Sequence, residues 1–221
     1  MGKINNKCQV PTPREVVIQM LDIAGYTGDL YGKRVLENSC GCGSILREIV
    51  ERYIQDCIKN NYTSIEIETG LQRDIHGIEK DRKLRERCIS NLQQIAAGYG
   101  LSNVHWDIKL RNALHATKLG RYHYIIGNPP YLAYPELDLE TRRDLRANFE
   151  SCKQGKPDYY FAFLETAIHA LNEYGKMVYL VPGNFMKNVY SDQLRQLLLP
   201  SLCEIVDYSH QKLFGSVLGP V

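Results

Sequence analysis

No stretch of this 221-residue chain is apolar for long enough to span a bilayer, and the amino terminus lacks the apolar core of a secretory signal. Those absences point to a soluble, cytoplasmic protein. Cys-x-x-Cys spacing is missing too, although cysteine itself is not: seven thiols stand at positions 8, 40, 42, 57, 88, 152 and 203. With the histidines scattered, no zinc-ligand pattern results, so no metal site is expected and the thiols read as small core residues. Neither sign of charge prevails. A net charge of +2 neither requires nor forbids a nucleic-acid partner, because a basic cleft fits inside a nearly neutral total. Internal repeats and low-complexity tracts are absent as well. What remains is enough chain, 44% hydrophobic, for one α/β domain with a full core.

The stretch that organises the rest is Tyr124-Ile-Ile-Gly-Asn-Pro-Pro-Tyr131. A short apolar run halted by glycine, asparagine and two prolines reads as a buried strand ending in a rigid turn, at the carboxyl edge where open α/β sheets bind ligands. Asn128 offers a side-chain carbonyl. Pro129 offers a backbone carbonyl with no N–H beside it, and proline pushes the residue before it toward extended geometry. Two acceptors side by side suit an amino group with two hydrogens to donate, and Tyr131 adds a flat face for the ring carrying it.

Upstream, Thr12-Pro-Arg-Glu15 predicts a helix to about residue 24, with Thr12 as N-cap and Glu15 closing a capping box. Residues 34–37 read as a first strand, 38–43 as its small-residue exit loop and 44–58 as a helix. That is the cradle many nucleotide-like cofactors use, although Leu46 breaks the GxGxxG fingerprint and no Gly-Lys-Ser/Thr follows. Glu37, just before the loop, can accept an amino group. Residues 59–70 read as a polar surface loop, and 73–79 as a second strand ending in Glu79, whose carboxylate suits a ribose diol. Asp81 should begin a helix to about residue 97. Residues 104–107 read as a third strand's end, with Asp107 at the carboxyl edge for an adenine amine, and 122–126 as the fourth strand. Arg142, Arg143, Arg146, Lys153 and Lys156 lie in a charged segment, 132–157, that suggests phosphate contacts. An aromatic helix over 158–171, a strand over 175–181, a helix near 192–199 and a strand near 203–208 complete the pattern.

In this order the stretches resemble the γ-arranged adenine-N6 DNA methyltransferases, the Taq-type and Eco57I-like methylases of restriction–modification systems. The matching pieces are Thr12-Pro13, Leu36-Glu-Asn-Ser-Cys-Gly-Cys-Gly43, Gly77-Ile-Glu79, Asp107, Asn128-Pro-Pro-Tyr131, Lys156-Pro-Asp-Tyr-Tyr160, Lys176-Met-Val-Tyr-Leu-Val-Pro182 and Gln211-Lys-Leu-Phe214. The resemblance implies an S-adenosylmethionine-dependent methyltransferase fold, a Rossmann-like, mostly parallel sheet with helices on both faces. It implies one cofactor-binding and catalytic domain over 1–221, flexible over 1–11, with duplex DNA as partner and adenine N6 as methyl acceptor. By the same resemblance Thr12 and Glu37 approach the methionine end of the cofactor and Ser39, Cys40, Gly41 and Gly43 form its loop. Glu79 takes its ribose and Asp107 its adenine; Asn128, also beside the cofactor, Pro129 and Pro130 form the catalytic turn. Tyr131 and Phe214 sandwich the target base.

Two departures stand out: Asn38 where the family usually has proline, and Ile45 where phenylalanine is common. The chain also stops where the family continues into further strands and a target-recognition domain, so a recognition domain or subunit from another chain is expected. Alternative readings are a protein-glutamine or RNA N-methyltransferase, or a truncated non-catalytic subunit. The glutamine enzymes carry Asp-x-Gly-x-Gly-x-Gly in the loop, which this chain lacks.

Overall fold

The computed structural model describes residues 11–115 and 119–208. They fall into two compact units, one of residues 11–128 and 170–179, the other comprising 129–169 and the stretch from 180.

The first unit is built on five parallel strands in the order β3-β2-β1-β4-β5: β1 Val35–Glu37, β2 Ile75–Glu79, β3 Asp107–Leu110, β4 Tyr122–Gly127 and β5 Leu171–Tyr179. Every residue of β1 and β2 is buried, as befits central strands of a parallel sheet. The chain runs outward from β1 through β2 to β3, then crosses back to place β4 on β1's other side. That reversal puts the ends of β1 and β4 next to each other, the position where open α/β sheets form a ligand crevice.

The helices follow the apolar periodicity. In α1, Arg14–Ile23, Val16, Val17, Met20 and Leu21 are buried; the helix closes with Tyr26 N–H donating to Leu21 O at 2.9 Å and Gly25 N–H to Asp22 O at 2.9 Å. That reversal needs the left-handed φ of +67° that Gly25 supplies. α2, Ser44–Lys59, packs on α1 and on α4, Arg82–Gly98, which Asp81 caps through Leu84 N–H.

Four expectations need correction. Residues 59–70 are no loop, since α3 runs Ser64–Asp74 behind a Thr63/Glu66 capping box. Its buried stripe is Ile67, Gly70, Leu71 and Asp74, so two of its four inward positions are not apolar and the period is masked. Asp74 tolerates full burial because Gly32 N–H, Tyr53 O–H and Arg73 all donate to it. Arg73 and Asp74 therefore end a helix rather than start β2. Pro13, not Thr12, holds the N-cap of α1, and no side chain caps it. Asp107 opens β3 instead of ending a strand. Finally, residues 203–208 form no strand.

The second unit contains α5, Leu139–Asn148, capped by Asp138 through Thr141 N–H at 2.7 Å, then α6, Tyr160–Ala170, and α7, Asp192–Leu198. Glu165 is a buried carboxylate on α6; it accepts Glu150 N–H at 2.9 Å and Ser151 N–H at 2.8 Å, so it holds the turn after α5 and stays satisfied.

Gly70 gives a test of the first unit's packing. Gly→Ala inside a helix ordinarily gains about 1 kcal/mol. Here the added Cβ lands 2.3 Å from the Tyr53 hydroxyl, which is tied to Asp74, and 2.8 Å from the Tyr31 ring. Gly70→Ala should therefore lower the unfolding free energy by roughly 1–3 kcal/mol in urea titration; a gain would show that Tyr53 moves aside.

Candidate active site

At the end of β1 the chain places a carboxyl group where water cannot reach it. Glu37 is 2% exposed and its Oε2 has no hydrogen-bond partner. Burial pushes its carboxyl well above the usual carboxylate range, with Cys88 adding to the shift and the Leu46 N–H opposing it. Ser39 Oγ, two residues on, is likewise buried without a partner. Two unsatisfied polar atoms in one loop are what a site shaped for a polar ligand leaves behind.

The loop itself is pinned from β2. Gly41 N–H donates to Glu79 Oε2 at 2.9 Å, Asp81 N–H to Glu79 Oε1 at 2.8 Å, and Cys40 N–H to Ile78 O at 3.0 Å. Its two glycines serve different ends. A Cβ on Gly43, at φ +84°, would stand 2.7 Å from Cys88 Sγ, so packing requires glycine there. A Cβ on Gly41 would meet nothing within 4 Å, and that open side leaves room for a ligand to approach the backbone. Glu37, Ser39, Cys40, Gly41, Gly43 and Glu79 thus come together at the carboxyl edge, as the sequence suggested.

Asn128 follows β4 directly and donates from Nδ2 to Thr12 Oγ1 at 3.1 Å, so Thr12 also reaches this edge. Tyr179 was not among the residues expected at this edge. Its hydroxyl donates to Asn38 Oδ1 at 2.5 Å, and its ring lies where a Cβ on Gly127 would come within 3.2 Å. Gly127 and Tyr179 face each other in the β4–β5 register, and an aromatic opposite a glycine at two strand ends was the available signal.

Asp107 does not join them. It pairs with His76 near the start of β2, whereas Glu79 pairs with Leu110, three residues further along β3. At about 3.3 Å per residue the separation along the strand is about 10 Å. Both its oxygens are engaged, Oδ2 by His76 Nδ1 at 2.7 Å and Oδ1 by Lys109 Nζ at 2.6 Å. Partial burial alone would raise this carboxyl; the bonds from Lys109 and His76 outweigh it and hold the group below its ordinary value.

In the second unit Tyr131 donates its hydroxyl to Leu180 O at 2.8 Å and meets Tyr160 edge to face, ring centroids 6.2 Å apart. A ring held at both edge and hydroxyl is a fixed stacking surface. Phe214, the expected second stacking ring, lies outside the described residues. Arg142 and Arg146 fold over the Tyr134 ring at 4.6 and 5.7 Å and donate to the carbonyls of Tyr134, Pro135 and Gly155. The segment's five cations share it with five acids, Glu136, Asp138, Glu140, Asp144 and Glu150.

Residues 32–214 match the family of Eco57I restriction-modification methylases. Among curated proteins the chain is 27% identical over 195 residues to the type II methyltransferase M.BstVI of Geobacillus stearothermophilus, covering 83% of this chain and 35% of that protein. The chain spans about a third of the length of such relatives. Among solved structures, a Listeria monocytogenes protein described as a class I S-adenosylmethionine-dependent methyltransferase superposes with a TM-score of 0.61 at 17% identity, over 89% of this chain and 54% of that one. The DrdV–DNA complex does so at 0.65 and 19%, over 86% and 22%. The fold is accordingly that of the S-adenosylmethionine-dependent methyltransferases.

Glu37 makes this site's electrostatics testable. Folding raises its pKa above the ordinary value of 4.5, so the folded state holds a proton that the unfolded chain has released. The associated stability is full below about pH 4.5 and is lost as pH climbs from there toward the raised value. Urea titrations of the ligand-free protein should show that loss, and Glu37→Gln should remove it. Parallel stability profiles for the two proteins would mean that Glu37 reaches water.

Proposed function

This chain belongs to the Eco57I restriction-modification methylase family, and from that premise we propose that it carries the catalytic part of a DNA methyltransferase that methylates adenine at N6. The observation that carries the reading is Asn128, placed directly after β4 at the reversal of strand order, with its amide held by Thr12. The residues of the β1 loop fit S-adenosylmethionine, since Glu37 Oε2 lacks a donor and the space over Gly41 is open.

When bound, S-adenosylmethionine supplies a methyl carbon made electrophilic by the adjoining sulfonium. Glu37 and Thr12 would hold its methionine end, the Ser39-Cys-Gly-Cys-Gly43 loop its backbone-facing side, and Glu79, whose oxygens retain lone pairs beyond their two N–H donors, its ribose. Asp107 has no part in this assignment, because it sits at the other end of its strand.

The chain's task at the acceptor is orientation. Asn128 Oδ1 and the Pro129 carbonyl would accept the two N6 hydrogens, which favours a more tetrahedral nitrogen with its lone pair turned toward the methyl. Forming the N–C bond would break the cofactor's C–S bond, leaving its neutral thioether, and N6 would then release one of its two hydrogens as a proton to solvent. No thiol attack is needed. Because N6 lies inside the duplex stack, the base must leave it, and the anchored Tyr131 ring offsets part of that cost by stacking. The relatives and neighbours, a type II methyltransferase and a DNA complex among them, support DNA as the substrate. A recognition module on another segment or chain would choose the sequence.

In the protein's full natural form, nucleoside mass spectrometry after incubation with labelled S-adenosylmethionine and DNA should find the label on N6-methyladenine. Asn128→Ala should lower turnover by roughly a hundredfold or more while cofactor affinity changes little. Tyr131→Ala should be impaired and partly relieved by an abasic site opposite the target; Tyr131→Phe should be milder, losing about 1 kcal/mol from the bond to Leu180. Label on cytosine, or on a protein glutamine with none on DNA, would overturn the assignment.

A further inference from the structure

A primary carboxamide has two chemically opposite ends of nearly the same shape. Turned by half a turn about its last torsion, Asn128 would present Nδ2 instead of Oδ1, and an N–H donor would then face the N–H donors of an amine. Packing alone scarcely distinguishes the two orientations. A hydrogen-bond partner does.

In this protein Thr12 is such a partner. Asn128 Nδ2 donates to Thr12 Oγ1 at 3.1 Å, and the two residues lie 116 positions apart. Thr12 is 6% exposed and immediately precedes Pro13, whose carbonyl accepts Val17 N–H at 3.1 Å, so the hydroxyl is carried by the start of α1. Thr12 stands one residue before the Pro13 N-cap, so its side chain is free of the capping role its sequence context suggests.

We propose that Thr12 is a positioning residue that locks the Asn128 amide with its carbonyl turned to the acceptor amine. The inference rests on the methyltransferase reading above and adds to it. A hydroxyl has one hydrogen to give and two lone pairs with which to receive. Toward Asn128 the Thr12 oxygen receives, so its own hydrogen points elsewhere. A carboxylate held near the start of α1, such as the cofactor's, would take that hydrogen. Thr12 could then no longer donate to Asn128, and the reversed amide would lose its only bond to Thr12. Cofactor occupancy and amide orientation are coupled through this one hydroxyl.

The test needs no catalysis. With ¹⁵N-labelled asparagine and the Asn128 side-chain signal assigned through Asn128→Ala, NMR hydrogen exchange reads whether Nδ2 is bonded. Thr12→Val and Thr12→Ala should speed exchange of one Nδ2 hydrogen roughly tenfold relative to the unaltered protein. Thr12→Ser should restore protection, and adding S-adenosylhomocysteine should slow exchange further only where the hydroxyl is present. Exchange unchanged in folded Thr12→Val and Thr12→Ala proteins would overturn the proposal even if adenine is methylated. In single-turnover assays Thr12→Val should lower the methyl-transfer rate at saturating cofactor, and Thr12→Val with Asn128→Ala should be no slower than Asn128→Ala alone. Full additivity of the two would likewise overturn it. Failure to methylate DNA with exchange behaving as described would reject the function and leave the amide lock standing.

Discussion

Burying a carboxyl group at the end of the central strand is the constraint around which the first unit is arranged. A carboxyl taken out of water must find donors or favour its protonated form, and burial shifts Glu37 toward that form. Small residues then become necessary around it. Gly43 leaves space for Cys88, and Gly77 is crowded by Cys40, Leu46 and Ile108, so the loop, α2 and α4 close tightly beneath the acid. The loop is held through Glu79, the Ile78 carbonyl and Asn91.

The two acids at this edge do different physical work. Glu79 is ringed by backbone donors and ties the β1 loop to the start of α4. Glu37 is left with one oxygen unsatisfied. One acid therefore builds the cradle, and the other is stored in a form that a ligand can complete. In the second unit Glu165 is likewise buried but engaged by two N–H groups, and its effect is structural.

Much of the fold was legible in the sequence because its strands and most helices obey a simple period. The apolar run before Asn128 read correctly as β4, and Asp81 marked a helix start that the structure keeps. The misses share a cause. α3 was hidden because its inward face includes Gly70 and Asp74, residues that only the neighbouring Tyr53, Tyr31 and Gly32 make suitable for burial. Thr12 looked like a cap because local pattern favoured it, yet the helix starts one residue later, at Pro13, and the Thr12 hydroxyl receives a hydrogen bond from a distant asparagine. Asp107 looked like a strand end because the apolar run precedes it, whereas hydrogen bonding with β2 begins at that residue.

The sequence by itself determined the kinds of groups available and their order along the chain: an acid before a small-residue loop, a second acid after a short strand, an asparagine locked between glycine and prolines. Those are consequences of covalent geometry and local period, which act over a few residues. Tertiary structure alone decided which groups share an edge, for parallel register sets that and no local signal encodes it. It brought Glu79 to Gly41, Tyr179 to Asn38 and Thr12 to Asn128, and it carried Asp107 to the opposite end of β3. A shift of three residues along a strand moves a carboxylate by about 10 Å, enough to remove it from a site.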